Sequence, residues 1–234
     1  MNRSSRTHSL EDWAYEQIRD MIIDGRLRPG QSLTQEELAT MLNISRTPLR
    51  RALAQLESHY FLEFRPHTGI HIRQYTLKDM IGIFEVRNAL EGLVCRLVAP
   101  TIKASHIAYL EALITEAYKE AENGNIDAYL NADREFHGYL VDLVEYDVVK
   151  KQLPIYQILS MSYGRGLIRP PKETYPEHLA ILKALAAHDA KRAEKEAVRH
   201  TRITINHLRE LLAKEEQERE QKGQREPDPE EDTL

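Results

Sequence analysis

Apolar residues recur every three or four positions in three short segments near the amino terminus, which is the spacing of an amphipathic helix. Each segment follows a polar residue that can cap a helix: Ser9 and Thr34 begin capping boxes, and Ser45 precedes the third segment. The predicted buried stripe of the third segment is Leu49, Ala52, Leu53 and Leu56. The pattern predicts three helices, of which the last two are joined by a tight turn at Asn43 and Ile44, as in a helix-turn-helix.

The residues after these helices change from helical to alternating periodicity. Phe61–Phe64 and Gly69–Arg73 alternate apolar with polar residues on either side of the turn sequence Arg-Pro-His-Thr. This alternation predicts a two-stranded hairpin. Three helices and a hairpin together form a winged helix-turn-helix, which we assign to residues 1–75 as a DNA-binding domain.

The remainder of the chain has a nearly unbroken helical pattern. It begins at Thr76, which opens a further capping box with Asp79. Predicted helices cover residues 76–98, 103–122, 125–144, 147–165, 175–187 and 190–219. We therefore expect a mainly α protein, with an all-α bundle of about six helices over 76–219 and an acidic, disordered tail over 220–234.

Charge is distributed unevenly along the chain, whose net charge is -5. Residues 214–234 carry 4 Lys and Arg against 9 Asp and Glu, whereas residues 44–74 carry 5 against 2 and are locally basic. A local basic segment of this kind is compatible with DNA binding despite the acidic total. The chain has one cysteine, no apolar run long enough to span a membrane and no signal-like opening, so we expect a cytoplasmic protein.

The start of the third predicted helix carries the candidate DNA-reading side chains. Because its apolar stripe faces the core, Arg46, Thr47, Arg50 and Arg51 project outward from its first two turns. Arg46 and Arg50 are four residues apart, so one helix face presents two guanidinium groups, which can bind guanine edges in a major groove. The alternative is an ordinary solvated helix with surface arginines.

One carboxylate and three imidazoles in the helical region form a candidate metal site. Asp133 and His137 lie four residues apart on one helix, and His178 and His200 lie on two later helices. This ligand set suits Zn²⁺, Ni²⁺, Mn²⁺ or Fe²⁺, with zinc as the first choice. The alternative for the Asp133 and His137 pair alone is a surface hydrogen bond.

The segment QEELATMLNISRTPLRRALAQLE together with FRPHTGIHI resembles the winged-helix domain of the GntR family of bacterial regulators. The resemblance implies that Arg46 and Arg50 are principal DNA contacts, that Thr47 binds phosphate and that Gly69 allows the tight wing turn. We assign five further residues to this DNA face, namely Thr34, Ser45, Arg51, His67 and Thr68. Arg51 replaces the family's usual acidic residue, and His67-Thr68 replaces a common Asn-Arg pair, so the operator sequence stays open.

The helical region is similar to the FCD effector-binding domain of the FadR branch of that family, over residues 77–212. The segments that carry this similarity are EVRNALE, DREFH and EHLAILKAL, followed by His200. It implies that Asp133, His137, His178 and His200 bind a metal whose coordination a small carboxylate completes. It also implies that Arg87 pairs with this effector, although an ion pair between Arg87 and Glu91 is an equal alternative.

These observations predict a metabolite-responsive transcription regulator, a repressor that binds palindromic operator DNA as a homodimer. Two alternatives stay open. In a metalloregulator, the metal itself would be the signal. In a metal-dependent hydrolase, Glu135 or Glu177 would act as the base. The hydrolase is the weaker alternative because no compact HExxH-type motif is present and the DNA-reading module would be unexplained, so we expect no enzyme.

Overall fold

The computed structural model describes residues 9–66, 68–153 and 167–223. The predicted amino-terminal helices are confirmed as α1 (Leu10–Ile23), α2 (Gln35–Leu42) and α3 (Arg46–Ser58). The chain also forms β1 (Ser32–Leu33), β2 (Leu62–Arg65) and β3 (Gly69–Ile72). The predicted winged helix-turn-helix therefore forms, with one strand more than the sequence pattern indicated.

Capping side chains determine where two of these helices begin. The Ser9 and Thr34 hydroxyls each accept a hydrogen bond from the backbone N–H three residues later, at 3.1 Å, as the capping boxes predict. Ser45 differs, because it occupies the cap position of α3 but its side chain accepts no hydrogen bond there. The prediction that the Ser45 side chain caps α3 is therefore wrong in its hydrogen bonding, although the helix begins where expected.

The wing is a three-stranded antiparallel sheet with the order β1-β3-β2. The strand β1 has only two residues, which is too short for an alternating pattern to be visible in the sequence. It pairs Ser32 with His71 and Leu33 with Ile70. Gly69 has a φ of +82°, and a Cβ at this position would lie 2.9 Å from the Leu33 carbonyl oxygen, so the close approach of β1 requires glycine here.

The described residues after Thr76 are mainly helical, as predicted, whereas residues 154–165 of the predicted helix 147–165 lie outside the described range. The helices are α4 (Leu77–Val98), α5 (Ala104–Glu122), α6 (Ile126–Asp142), α7 (Pro171–Ala186) and α8 (Ala190–Gly223), and residues 147–153 are helical as well. The helix predicted from residue 175 begins four residues earlier, because Pro171 occupies the first turn, where its missing N–H leaves no bond unmade. The last helix continues through Gly223, so residues 220–223 are not part of an unstructured tail, and residues 224–234 lie outside the described range.

The described residues fall into two compact units. One contains residues 9–75 apart from His67, together with 146–153 and Leu167, and the other contains 76–145 and 168–223. In the second unit α4 packs closely against α8, since a Cβ added at Gly92 would lie 2.7 Å from the Val198 side chain. Within the described residues, none of the helices combines the length and the apolar character needed to cross a bilayer.

Candidate functional sites

The four predicted metal ligands lie together in the helical unit. Their ligand atoms are all within 4.8 Å of one another. The Nε2 atom of His178 lies 3.4 Å from Nε2 of His137 and 3.3 Å from Oδ1 of Asp133. Three separate helices thus bring one carboxylate and three imidazoles to a single point, and this is the only such cluster within the described residues.

Helix geometry and burial explain how this cluster forms. Asp133 and His137 are one turn apart on α6, His178 lies on α7 and His200 lies on α8. All three histidines are buried, and His178 is completely so. Unpaired imidazoles are rare in a protein core, so the ring nitrogens that face away from the cluster need partners.

The outward nitrogen of His178 is bound through a short chain of hydroxyl groups. Its Nδ1 lies 3.2 Å from the hydroxyl of Tyr129, and the Thr174 hydroxyl donates a hydrogen bond of 3.0 Å to that same Tyr129 oxygen. Tyr129 is fully buried and lies one turn before Asp133 on α6. These two hydroxyl groups hold the His178 ring with Nε2 toward the cluster.

The outward nitrogen of His200 binds a buried carboxylate. Its Nδ1 lies 2.7 Å from Oε2 of Glu177. The guanidinium of Arg169 binds both oxygens of Glu177, at 3.0 and 2.7 Å. A carboxylate behind the imidazole requires Nδ1 of His200 to carry the hydrogen, and Nε2 is then the acceptor nitrogen that faces the cluster.

A second buried carboxylate lies behind His137. Oε1 of Glu91 is 3.6 Å from Nδ1 of His137 and accepts hydrogen bonds of 3.0 and 2.7 Å from the Arg87 guanidinium. The other Glu91 oxygen accepts a 2.9 Å hydrogen bond from the Thr201 hydroxyl. Arg87 therefore forms the ion pair with Glu91 that the sequence left as an alternative, and its guanidinium also lies 4.7 Å from the centre of the Phe84 ring.

Burial and these contacts determine the protonation of the cluster. Burial lowers the pKa of His137 to about 4 and also lowers that of His178. Burial alone would raise the pKa of the Asp133 carboxyl, but the hydrogen bond to His178 and the neighbouring imidazoles outweigh it, so this pKa lies below its usual range. The pKa values of Glu91 and Glu177 are both lowered to about 2, against the effect of burial, by their arginine and histidine partners.

This set of donors fits a divalent transition metal. A histidine binds a metal as the neutral imidazole, and an aspartate binds it as the ionised carboxylate. These are the forms favoured at neutral pH for His137, His178 and Asp133. The sequence pattern does not indicate Tyr129 as a partner of the cluster, and it suggests Glu91 only as a partner of Arg87. The available signal for Tyr129 was its position one turn before Asp133.

The predicted DNA-reading residues on α3 are exposed. The Arg46 guanidinium lies 3.1 Å from the Glu36 carboxylate, and the Arg51 guanidinium lies 3.5 Å from that of Glu11, both on the surface. Arg50 forms no hydrogen bond or ion pair within the part of the chain described. Thr47 is exposed on the same first turn.

The other residues assigned to the DNA face lie at element ends. The Thr34 hydroxyl is used in the α2 capping box, and Ser45 lies before α3 with its hydroxyl outside any cap bond. Thr68 and Gly69 lie at the turn of the wing, and His67 falls outside the described residues.

The two candidate bases of the hydrolase alternative are occupied by other contacts. Glu135 is exposed and accepts a hydrogen bond from the Tyr109 hydroxyl. Glu177 is held by Arg169 and by Nδ1 of His200. Neither carboxylate is thus presented to the cluster as a base for an activated water.

Two family models match successive parts of the chain. The family model described as "Bacterial regulatory proteins, gntR family" matches residues 10–72, and the FCD domain model matches residues 82–203. The probable D-xylose utilization operon transcriptional repressor of Paenarthrobacter nicotinovorans is 31% identical over 194 residues, which are 79% of this chain and 84% of that protein. The transcriptional repressor RspR of Escherichia coli is 23% identical over 210 residues, covering 88% of this chain and 91% of the relative.

A solved structure supports the fold. E. coli McbR/YncC superposes with a TM-score of 0.71 at 21% identity, over 87% of this chain and 99% of that one. The matching families and relatives are transcriptional regulators rather than enzymes, which excludes the hydrolase alternative. With an amino-terminal helix-turn-helix and a helical effector-binding domain, the chain belongs to the GntR family of DNA-binding transcriptional regulators and carries an FCD domain.

Proposed function

We propose that this regulator is a repressor that binds a divalent metal through Asp133, His137, His178 and His200, and that a small carboxylate bound there controls its operator affinity. The observation that carries the proposal is the convergence of these four side chains within 4.8 Å. A bound metal supplies a Lewis-acid centre that attracts a carboxylate oxygen. Zinc is the first choice because three imidazoles and one carboxylate match its preferred ligands.

The arrangement of hydrogen bonds behind the cluster supports metal binding rather than a structural role. The outward nitrogens of His178 and His200 have partners at 3.2 and 2.7 Å, so the Nε2 atoms are directed inward. A merely structural histidine needs only enough hydrogen bonds to satisfy its own nitrogens. In the metal-free state Nε2–H of His178 can satisfy Asp133, but Nε2 of His200 still faces the cluster as an acceptor, and burying such an acceptor is costly without a cation.

Arg87 is the residue that we assign to the effector. Its guanidinium is buried and is bound to Oε1 of Glu91, which itself lies beside His137. An effector carboxylate bound at the cluster reaches Arg87 by sharing this guanidinium with Glu91. The experiment that tests this role is carboxylate binding by Arg87→Lys, which keeps the charge but loses the planar guanidinium and should bind more weakly.

A homodimer on a palindromic operator is supported by the outer face of α4. Ile83, Val86, Leu90, Leu93 and Leu97 follow the alternating three- and four-residue spacing of a coiled-coil seam, and none of them is fully buried. An apolar stripe of this length on a surface helix is typical of an interface. In sedimentation experiments Val86→Asp should shift the protein from dimer to monomer, whereas the exposed substitution Lys183→Asp should not.

Elemental analysis of the purified protein tests the metal site directly. We expect roughly one metal per chain in the wild type and its loss in the double variant His137→Ala/His178→Ala. The matched control is His106→Ala/His207→Ala, which removes two histidines outside the cluster and should retain the metal. A wild type that contains no metal and cannot be loaded with zinc would contradict the proposal.

A metalloregulator is the second candidate, since a metal alone also changes the charge of the cluster. The two are distinguished by titrating the metal-free protein with zinc alone and then with a panel of small carboxylates, while operator binding is measured. A full change in DNA affinity with zinc alone supports the metalloregulator. A change that requires a carboxylate supports the metabolite-responsive repressor.

A further inference from the structure

The wing contains a buried histidine that the sequence did not single out. His71 lies on β3 and is 8% exposed. Its two ring nitrogens each contact a hydroxyl group: Nδ1 lies 3.0 Å from the Ser32 Oγ, and Nε2 lies 2.8 Å from the Thr68 Oγ1. The imidazole therefore connects the short edge strand β1 to the turn of the wing.

The register of the sheet explains this connection. Ser32 is the direct antiparallel partner of His71, so the two side chains lie on the same face of the sheet. Thr68 is three residues before His71, just ahead of Gly69, whose positive φ turns the chain back along β3. The contact of His71 with Ser32 is thus set by backbone pairing, and its contact with Thr68 by the turn that ends at Gly69.

The acceptor atoms of DNA determine which groups donate in the hydrogen bonds that join Thr68, His71 and Ser32. Phosphate oxygens accept hydrogen bonds but cannot donate them, and the minor-groove edge of an A·T pair also presents acceptors. Toward a phosphate oxygen or an A·T minor-groove edge, the Thr68 hydroxyl can therefore serve only as a donor. When the Thr68 hydroxyl donates to DNA, its oxygen accepts a hydrogen bond from Nε2–H of His71. Nδ1 of His71 then accepts a hydrogen bond from the Ser32 hydroxyl.

We propose that Ser32 and His71 position the Thr68 hydroxyl as a hydrogen-bond donor to an acceptor atom of duplex DNA. His71 is a positioning residue, because it is buried and acts through Thr68, which is exposed at the wing turn. The inference rests on DNA binding by the winged helix, and it adds to the general assignment of Thr68 to the DNA face a specific role for its hydroxyl and for two residues, Ser32 and His71, that had no role.

Binding of short DNA duplexes tests this role. The probes are a duplex enriched by the wild-type protein from a random-sequence pool and the unselected pool itself. Thr68→Val, which is nearly isosteric but has no hydroxyl, should weaken binding of the enriched duplex about three- to tenfold, the loss expected for one hydrogen bond. Thr68→Ser should bind as the wild type does. An equal loss on the unselected pool identifies a phosphate acceptor, and a loss only on the enriched duplex identifies a base edge.

A double-mutant cycle separates positioning from a general effect on the wing. His71→Leu should weaken binding about as much as Thr68→Val, and it should add nothing in the Thr68→Val background. His71→Gln, whose amide nitrogen can replace Nε2–H, should recover part of the loss. If His71→Leu weakens binding equally in both backgrounds, its role is structural and the inference is overturned.

Arg50→Ala distinguishes failure of this inference from failure of DNA binding by the winged helix. If Arg50→Ala weakens binding while Thr68→Val has no effect, only the inference is wrong. If the wild-type protein enriches no duplex, DNA binding itself is contradicted, and the role of Thr68 with it.

Discussion

The cluster of Asp133, His137, His178 and His200 and the DNA-reading face of α3 are built in opposite ways. The three histidines of the cluster, His137, His178 and His200, are buried. Each has one ring nitrogen that faces away from the cluster toward another protein group. The arginines of α3 are exposed, and Arg50 forms no ion pair within the described residues. The side chains of the cluster are thus held in place by packing within the protein, whereas Arg50 is not.

This difference is related to what we propose that each site binds. A metal ion is small and tolerates little error in the position of its ligands, so the surrounding structure must hold them. Duplex DNA is large and itself offers partners that order long side chains. Substitutions in the cluster should therefore reduce the stability of the protein, whereas substitutions on α3 should reduce DNA binding alone.

The largest contrast is expected between a buried and an exposed ion pair. Glu91→Leu removes the carboxylate that binds the buried Arg87 guanidinium, and this should lower the free energy of unfolding by about 3–5 kcal/mol. Glu36→Leu removes the surface partner of Arg46 and should cost about 0–1 kcal/mol. Urea denaturation of the metal-free protein measures both. Similar losses for the two variants would show that the Arg87 pair contributes no more than a surface contact.

Zinc binding should raise the free energy of unfolding by about as much as Glu91→Leu lowers it. A ligand that binds only the folded state adds about 4 kcal/mol when it is present at a thousand times its Kd. For a chain of this size that gain raises the Tm by roughly 8–16 °C. Calorimetry with and without zinc should show this rise for the wild type and for Arg50→Ala, but not for His137→Ala/His178→Ala. A rise that persists in the double variant would mean that zinc binds elsewhere.

A substitution on the DNA face of α3 should lower DNA affinity and leave the stability of the protein nearly unchanged. Arg50→Ala should weaken operator binding by about 1–3 kcal/mol, because a guanidinium that binds a guanine edge through two hydrogen bonds is lost. Its Tm should stay close to that of the wild type, since the side chain is exposed. The control is Arg192→Ala, an exposed arginine of α8 outside the α3 face. Equal losses of affinity for the two variants would indicate a general charge effect.

Local sequence signals were enough to predict most of the fold. Capping boxes at Ser9, Thr34 and Thr76 placed three helix starts correctly, because their hydrogen bonds involve residues only three positions apart. The buried stripe of α3 followed from its helical spacing. The spacing of Asp133 and His137 indicated that both face one point, which the helix α6 allows.

Features that depend on tertiary contacts could not be predicted in the same way. The strand β1 forms only because β3 provides its partner, so its two residues carry no pattern of their own. Glu177 directly precedes His178 in the chain, yet it binds His200 on another helix. The role of His71 likewise depends on Ser32, which is 39 residues away. Such contacts join residues that the sequence gives no reason to pair.

The smallest expected effect concerns a histidine in the winged-helix unit. His59 is partly buried, and its Nδ1 lies 2.8 Å from the Tyr15 hydroxyl. Burial lowers the pKa of His59, so its neutral form is favoured in the folded state. As the pH falls below about 6.5, the unfolded chain binds the proton more readily than the folded one, and stability decreases. The contribution is complete above that pH and is lost as the pH falls through the lowered pKa.

Replacement of His59 by glutamine should remove this pH dependence while keeping a polar group near Tyr15. We expect the difference in unfolding free energy between the wild type and His59→Gln to become smaller as the pH falls from 7.5 to 5. Because His59 is only partly buried, this change should be much smaller than the loss of unfolding free energy caused by Glu91→Leu. A proton NMR titration of the His59 ring in the native protein gives its pKa directly. A value at or above that of an exposed histidine would mean that the Tyr15 hydroxyl stabilises the charged ring, and that burial does not control this site.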